Sequence, residues 1–169
     1  DDGSMRLWSL ASLSEPEQLS CLGPGEFAVR DMAMTSVGGD PVVAAVRWNG
    51  EVLVWWPKRE KTTLLSSERG PDPKQIGLTS AGVVLGRQRE VEVIDVDTQA
   101  SRRRWRLQHL RLTAVRAIED GGFVVGTADG AVVWRSADRV MMQRHDAAIA
   151  GLAVSSSGRV IAAHSEDGR

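Results

Sequence analysis

Cysteine and long apolar runs are what this sequence most clearly lacks. Its 169 residues include one cysteine, Cys21, which cannot form an internal disulfide. A lone cysteine fits a reducing compartment, so we expect a cytoplasmic location. No apolar run approaches the roughly 20 residues that cross a bilayer, and the N-terminus has no basic segment followed by an apolar one. A disulfide scaffold, a helical membrane protein and an N-terminal secretory leader are therefore not expected.

An excess of one charge is also lacking. Lys and Arg together number 21 and Asp and Glu 22, which gives a net charge of -1. This balance argues against a nucleic-acid coat or a membrane-surface protein, so any electrostatic partner must use a local patch. With 42% hydrophobic and 25% charged residues, the chain has the composition of a globular unit with a core of its own.

Catalytic and metal-binding motifs are lacking as well. His109, His145 and His164 do not have the close paired spacing of a zinc site, and no cysteine cluster accompanies them. The serines at 155–157 lack the flanking glycines of a nucleophile elbow, and the glycines lack the spacing of a phosphate-binding loop. We therefore predict no metal, no cofactor and no enzymatic activity.

What the sequence does contain is an internal repeat. Each repeat opens with a short apolar stretch, at 28–34, 75–79, 112–118 and 149–154. A turn follows, then a second stretch rich in Val and Ile, a third that alternates, and a polar fourth. Equivalent turn positions lie 47, 39, 41 and 38 residues apart: Gly3, Gly50, Arg89, Gly130 and Gly168. The pattern predicts units of four β-strands with the polar strand at an outer edge.

The clearest copy of the repeat is split between the two ends of the chain. Read from the C-terminal segment into the N-terminal one, it gives a His, an apolar strand, a Ser-x-x-Gly turn, a second strand, an Asp-Gly turn and Leu-Trp: His145, Ile149–Val154, Ser155–Gly158, Val160–Ala163, Asp167–Gly168, Asp2–Gly3 and Leu7–Trp8. This order resembles the repeat of the WD-repeat β-propeller family. The resemblance implies an all-β propeller of four-stranded antiparallel blades, with about four blades' worth of degenerate repeats.

Several positions depart from the family pattern. The Trp-Asp pair is replaced in every repeat: Trp8-Ser9, Trp55-Trp56, Ile94-Asp95 and Arg135-Ser136. The polar network that such residues form in a strong blade is therefore incomplete, and we expect packing to hold the blades together. His145 remains from the Gly-His pair, and we interpret it as a structural blade histidine.

Other residues take structural places in the repeat. Trp8 and Trp55 are expected to pack between blades. Asp2, Asp129 and Asp167 each precede a glycine. We expect these carboxylates to accept a turn amide while the glycine takes a positive φ, a structural role that needs no ligand.

The repeat divides the single propeller segment, 1–169, into five units. They are 1–27 as the third and fourth strands of a blade, 28–74, 75–111 and 112–148 as full blades, and 149–169 as the first two strands of a blade. Strands in this order could close a ring, form half of an eight-bladed homodimer, or be an arc of a larger ring. We expect a truncated arc rather than a closing clasp, in which 149–164 would pair with 4–22.

Two features are candidates for partner binding. Arg102, Arg104 and Arg106 alternate with Arg103, Trp105 and Leu107. In a strand, this alternation places three guanidinium groups on one face and Trp105 on the other. That stripe either binds an acidic protein segment or a nucleic-acid backbone, or only protects an outer edge from pairing with another sheet. Trp48 lies in the turn before a third strand and is a candidate anchor for a protein partner.

The resemblance implies a non-catalytic protein-protein interaction scaffold whose partners are proteins, with no membrane contact. Lys is scarce relative to Arg, while Ala, Val and Gly are abundant. This composition favours a high-GC bacterial source, and we expect a docking or sensing module of a larger signalling protein. The alternative is nucleic-acid or anionic-ligand binding through the Arg-rich edge strand, with steep salt dependence. An enzyme with catalytic side chains around a central opening is the third alternative, and no motif supports it.

Overall fold

Strands account for nearly all of the regular structure. The structure is a computed structural model that describes residues 4–9, 17–23, 27–65, 73–108, 110–119, 121–136, 139–155 and 158–168. Within these ranges the chain forms sixteen strands and one 3-10 helix, Pro57–Arg59. In this part of the chain, no helix has the length and apolar character needed to cross a bilayer.

The strands fall into five antiparallel sheets. A first pair is followed by three four-stranded sheets, called here blades 1, 2 and 3, and by a last pair. The first pair is β1 (Met5–Ser9) and β2 (Glu17–Leu22), and blade 1 is β3 (Val29–Val37), β4 (Asp40–Arg47), β5 (Val52–Trp56) and β6 (Lys61–Leu65). Blade 2 is β7 (Gln75–Thr79), β8 (Gly82–Gly86), β9 (Glu90–Ile94) and β10 (Ser101–Arg106), and blade 3 is β11 (Leu112–Ala117), β12 (Phe123–Thr127), β13 (Ala131–Arg135) and β14 (Val140–Arg144). The last pair is β15 (Ile149–Val154) and β16 (Ile161–Ser165).

Strand order within each sheet follows the order of the chain. Every strand of a blade pairs antiparallel with its neighbour in sequence. The predicted all-β fold of four-stranded antiparallel sheets is therefore confirmed. Among the described residues, β1 pairs only with β2 and β15 only with β16. Within the described ranges, the first and last pairs are therefore two separate sheets.

The middle strands have continuous apolar sequences because neighbouring sheets cover both faces of these strands. In β4, the side chains of Val42, Ala44 and Val46 pack in the core shared with blade 2. Val43 and Ala45, on the opposite face, pack in the core shared with the first pair. Successive side chains of a strand point to opposite faces, so one strand serves two interfaces. Packing of sheet on sheet is therefore the main source of stability.

The later interfaces repeat this arrangement. Blades 2 and 3 share a core in which Val93 packs with Phe123 and its neighbours. Blade 3 and the last pair share another, which includes Val124 and Ile149. By contrast, every residue of the outer strand β14 is exposed, as predicted for the fourth strand of a repeat.

Hydrogen bonds also join the inner strands, which are the first strands of successive sheets. Asp31 in β3 accepts a bond from the backbone N–H of Ile76 in β7 at 3.0 Å. Gln75 donates through Nε2 to the carbonyl of Thr113 in β11. Thr113 in turn donates through its hydroxyl to the carbonyl of Ile149 in β15 at 2.7 Å. These bonds lie near the start of each inner strand and fix the relative positions of four consecutive sheets.

Candidate functional site

A recess opens at the end of the molecule where the inner strands start. Its volume is about 630 Å³, and it is bordered by residues of all three blades and of the last pair. We call this cavity the recess. Its lining includes one exposed tryptophan and several basic side chains: Trp48, Arg30, Lys74, Arg111 and Arg116. A cavity of this size falls within the roughly 300–1,000 Å³ of ligand-binding clefts.

Arg30 reaches the recess because β3 is irregular at this point. Val29 is opposite Arg47 and Asp31 is opposite Val46, so Arg30 is the extra residue of a β-bulge. Bulges redirect a side chain out of the regular alternation of a strand. The bulge therefore explains why the start of β3 presents the guanidinium group of Arg30 to the recess rather than an apolar side chain.

Trp48 forms the rim of the recess. It follows β4, and its backbone N–H donates to the carbonyl of Ala28 at 3.1 Å, which holds the turn against the start of β3. Its side chain is 61% exposed. The guanidinium carbon of Arg30 lies 4.4 Å from the centroid of the Trp48 ring. This cation-π contact orients an exposed aromatic surface beside a positive charge.

The recess carries a net positive charge. Among the described residues, Arg30, Lys74, Arg111 and Arg116 form no ion pair. The acidic residue of the lining, Asp31, accepts hydrogen bonds from backbone N–H groups of Met32 and Ile76, each at 3.0 Å. The Asp31 carboxylate is thus occupied by hydrogen bonds from the backbone. Among the described residues, the four cations that face the recess have no acidic partner.

Arg87 also borders the recess but has a different role. It is 1% exposed, and its guanidinium contacts Oε2 of Glu92, which is 2% exposed, at 3.1 Å. Burial would raise the pKa of Glu92, but hydrogen bonds from Arg104, Ser101 and Arg87 lower it below its ordinary value. Glu92 is therefore ionised at neutral pH, and its single carboxylate pairs with two guanidinium groups, those of Arg87 and Arg104.

The predicted arginine stripe on β10 is largely neutralised. Arg104 donates to Glu92 from Nε at 2.9 Å and from a terminal nitrogen at 2.6 Å. Arg102 donates to Asp95, whose pKa is lowered to about 2 by the backbone N–H of Thr98 and by this guanidinium. Of the three predicted groups, Arg106 alone is exposed without an ion pair among the described residues.

These pairs make an anion-binding stripe on β10 a poor candidate. The opposite face of the strand follows the sequence pattern, since Trp105 packs edge-on against Phe123 of blade 3 with ring centroids 4.9 Å apart. Arg102 and Arg104 thus form ion pairs along the edge of their own sheet. Their partners are Glu92 in β9 and Asp95 just after it, which lie opposite β10.

The two repeat tryptophans differ from each other. Trp55 is 3% exposed and packs with Met5 of the first pair, between two sheets as expected. Trp8 is 47% exposed and lies outside the apolar cores of the described residues. The core at this interface takes Met5 and Leu7 from β1. Alternation along the strand places Trp8 on the opposite face of β1, away from blade 1.

The Asp-Gly turns are built as local structure. Asp129 accepts a hydrogen bond from the hydroxyl of Thr127 at 2.6 Å and contacts Arg144 at 3.3 Å, while Gly130 has φ +83°. Asp167 likewise accepts from the hydroxyl of Ser165. The N–H groups of Gly130 and Gly168 donate to the backbone carbonyls of Thr127 and Ser165. Asp2 lies outside the described residues.

Two of the three histidines lie among the described residues. His145 is half-buried and lines a cavity together with Trp134, and its backbone N–H donates to the carbonyl of Gly130 at 2.9 Å. His164 is exposed in β16, and His109 lies outside the described residues. In the described ranges, no three His, Cys, Asp or Glu side chains form a group that could hold a metal ion.

Sequence reasoning identified Trp48 but missed the cations around it. Arg30, Lys74 and Arg111 each stand at or just before the start of an inner strand. A comparison of the three repeat starts shows this signal, because one basic residue recurs there. Arg116 lies further along β11 and has no such signal.

Comparisons with solved structures agree with this architecture. BBS1N, in a crystal structure with ARL6DN, matches with a TM-score of 0.78 and 12% identity over 99% of this chain and 56% of that chain. A chain of the mitotic checkpoint complex matches with a TM-score of 0.67 and 17% identity over 82% of this chain and 45% of that one. No protein-family model matches the sequence, and no curated protein matches it. The chain spans about half the length of these solved chains and has the fold of a β-propeller.

Proposed function

We propose that this β-propeller segment is a non-catalytic protein-docking scaffold, and that a partner binds at the recess with Trp48 as its anchor. The observation that carries the proposal is the placement of Trp48. A large aromatic side chain is 61% exposed at the rim of a cavity and is held there by Arg30. Trp and Arg are the residues most enriched among binding hot spots, and a fixed side chain loses little entropy on binding.

The architecture supports such a role. Residues from all three blades and from the last pair border the recess, and hydrogen bonds between successive inner strands hold these sheets in register. Binding residues are therefore presented by a rigid frame. The structural neighbours are propeller proteins found in protein complexes, which is consistent with docking as a general activity of such folds.

The finer role is also a proposal. The composition fits a bacterial protein, and the lone cysteine fits a reducing compartment. We place the segment in the cytoplasm as the docking or sensing module of a larger signalling protein. We do not place nucleic-acid binding on β10, because Arg102 and Arg104 are already paired with acids.

The test compares two exposed tryptophans. The protein, its Trp48→Ala variant and its Trp8→Ala variant are immobilised, and proteins captured from a lysate of the source organism are quantified by mass spectrometry. Circular dichroism checks that all three are folded. We expect Trp48→Ala to lose partners that the protein and Trp8→Ala both retain, because Trp8 lies on the first pair, away from the recess. Capture of the same partners in the same amounts by Trp48→Ala would contradict the proposal.

A further inference from the structure

We propose that the recess binds an acidic peptide segment, a proposal that rests on the docking function above and specifies the partner's chemistry. Carboxylates of the segment would lie against four cations that form no ion pair among the described residues, and an apolar side chain of the segment would pack on Trp48. The cations are Arg30, Lys74, Arg111 and Arg116.

The recess contains positive charge that no acidic side chain of the described residues balances. Lys58, Arg102 and Arg144 on other surfaces each face a carboxylate within ion-pair distance. In the described part of the chain, the four recess cations do not. Four positive charges gathered in one cavity repel one another, and the low-dielectric walls of a cleft focus that potential. An anionic ligand relieves the repulsion.

The four cations of the recess come from three different blades. Arg30 comes from blade 1, Lys74 from the start of blade 2, and Arg111 and Arg116 from blade 3. The positive charges thus border the recess from three successive sheets instead of following one strand. Guanidinium groups match carboxylates in a two-pronged geometry, and a ligand with several carboxylates can contact more than one sheet at once.

The recess suits a peptide better than a nucleic acid. A nucleic-acid backbone needs an extended basic track, and its affinity grows with the number of phosphates contacted. Here the net charge of the chain is -1, and Arg104 of the outer strand β10 is already paired with Glu92, so the basic surface does not continue along that strand. The cations are confined to a cavity of about 630 Å³ with an aromatic rim, which suits a short segment that combines acidic and apolar residues.

The experiment measures binding of a defined probe by fluorescence anisotropy. The probe is a labelled synthetic peptide in which glutamates flank a single leucine. Two comparison probes are the same peptide with every Glu replaced by Gln and a single-stranded DNA of equal charge. Two double variants of equal charge change are compared with the unmodified chain: Lys74→Glu/Arg111→Glu in the recess and Arg103→Glu/Arg106→Glu on β10.

The proposal expects binding of the Glu peptide, weakened by salt, and at least about tenfold weaker binding by the recess variant. The β10 variant and the unmodified chain should bind alike, and the Gln peptide should not bind. Tighter binding of the DNA, an equal loss in both variants, or a loss only in the β10 variant would overturn it. Failure of the peptide while Trp48-dependent partner capture persists removes the acidic chemistry alone, whereas failure of both removes the docking function as well.

Discussion

Asp31 in the inner strand of blade 1 accepts a hydrogen bond from the backbone N–H of Ile76 in the inner strand of blade 2, at 3.0 Å. Ile76 is fully buried, so its N–H would otherwise be removed from water without a partner. One carboxylate therefore joins two sheets directly beneath the recess.

Removal of this acceptor should destabilise the fold. Asp31→Ala leaves the Ile76 N–H unsatisfied and is expected to lower the free energy of unfolding by about 1–3 kcal/mol, whereas Asp31→Asn retains an oxygen acceptor and should cost less. Urea denaturation of the two variants gives the comparison. Equal losses would show that the hydrogen bond is not the source of the effect.

Glu92 is expected to be among the most sensitive positions of the chain. Glu92→Gln removes the carboxylate that pairs with the buried Arg87 and should cost about 3–5 kcal/mol. Arg144→Gln breaks the exposed pair with Asp129 and should cost at most about 1 kcal/mol. If Glu92→Gln does not fold, the double variant Arg87→Met/Glu92→Leu should, because an apolar pair removes the buried charge. A Glu92→Gln protein as stable as Arg144→Gln would refute this role.

Asp95 should make part of the stability depend on acid pH. Its pKa is lowered from 3.8 to about 2 in the fold, so its ionised form is favoured by the native state. The contribution is fully present well above pH 3.8 and is lost progressively as the pH falls through 3.8 towards 2. The difference in Tm between the protein and Asp95→Asn, measured by thermal unfolding from pH 6 down to pH 2, should stay constant above about pH 5 and shrink below pH 4. A difference that stays constant throughout would exclude the shift.

Gly126 lies where β12 meets the last pair. A Cβ atom at this position would be 2.5 Å from Cγ2 of Ile149 and 2.8 Å from its Cβ. Gly126→Ala should therefore push the two sheets apart and cost about 1–3 kcal/mol in the free energy of unfolding. Gly23→Ala is the control, since no atom of the described residues other than its chain neighbours lies within 4 Å of that Cβ position. Similar unfolding midpoints for the two variants would mean that this interface is not tightly packed.

The fold could be predicted from the sequence because its determinants are local and repeat. Turn residues such as Gly130 recur at a regular spacing, and apolar runs such as Val42–Val46 mark strands covered on both faces. Each repeat therefore predicts its own sheet without knowledge of the others. Trp48 could be placed on a rim for the same reason, because it lies in a turn.

The remainder of the site depends on register and on contacts between repeats. Arg104 and Glu92 face each other because β10 pairs with β9 in one register, and the alternation of Arg102, Arg104 and Arg106 does not reveal that partner. The recess cations lie in different repeats and meet only because successive sheets place the starts of their inner strands side by side. The exposure of Trp8 likewise depends on which face of β1 packs on blade 1, and its place in the repeat does not show that.

The central claim is that an acidic segment binds at the recess beside Trp48, and the six tryptophans of the chain provide the most direct test. Each indole N–H gives its own signal in a nitrogen-proton NMR spectrum, and Trp48→Phe assigns the one from the rim. On titration with the Glu peptide, we predict that the Trp48 signal moves in proportion to binding while those of Trp105 and Trp134, which lie away from the recess, remain in place. A Trp48 signal that does not move at saturating peptide, with shifts at Trp105 or Trp134 instead, would contradict the account.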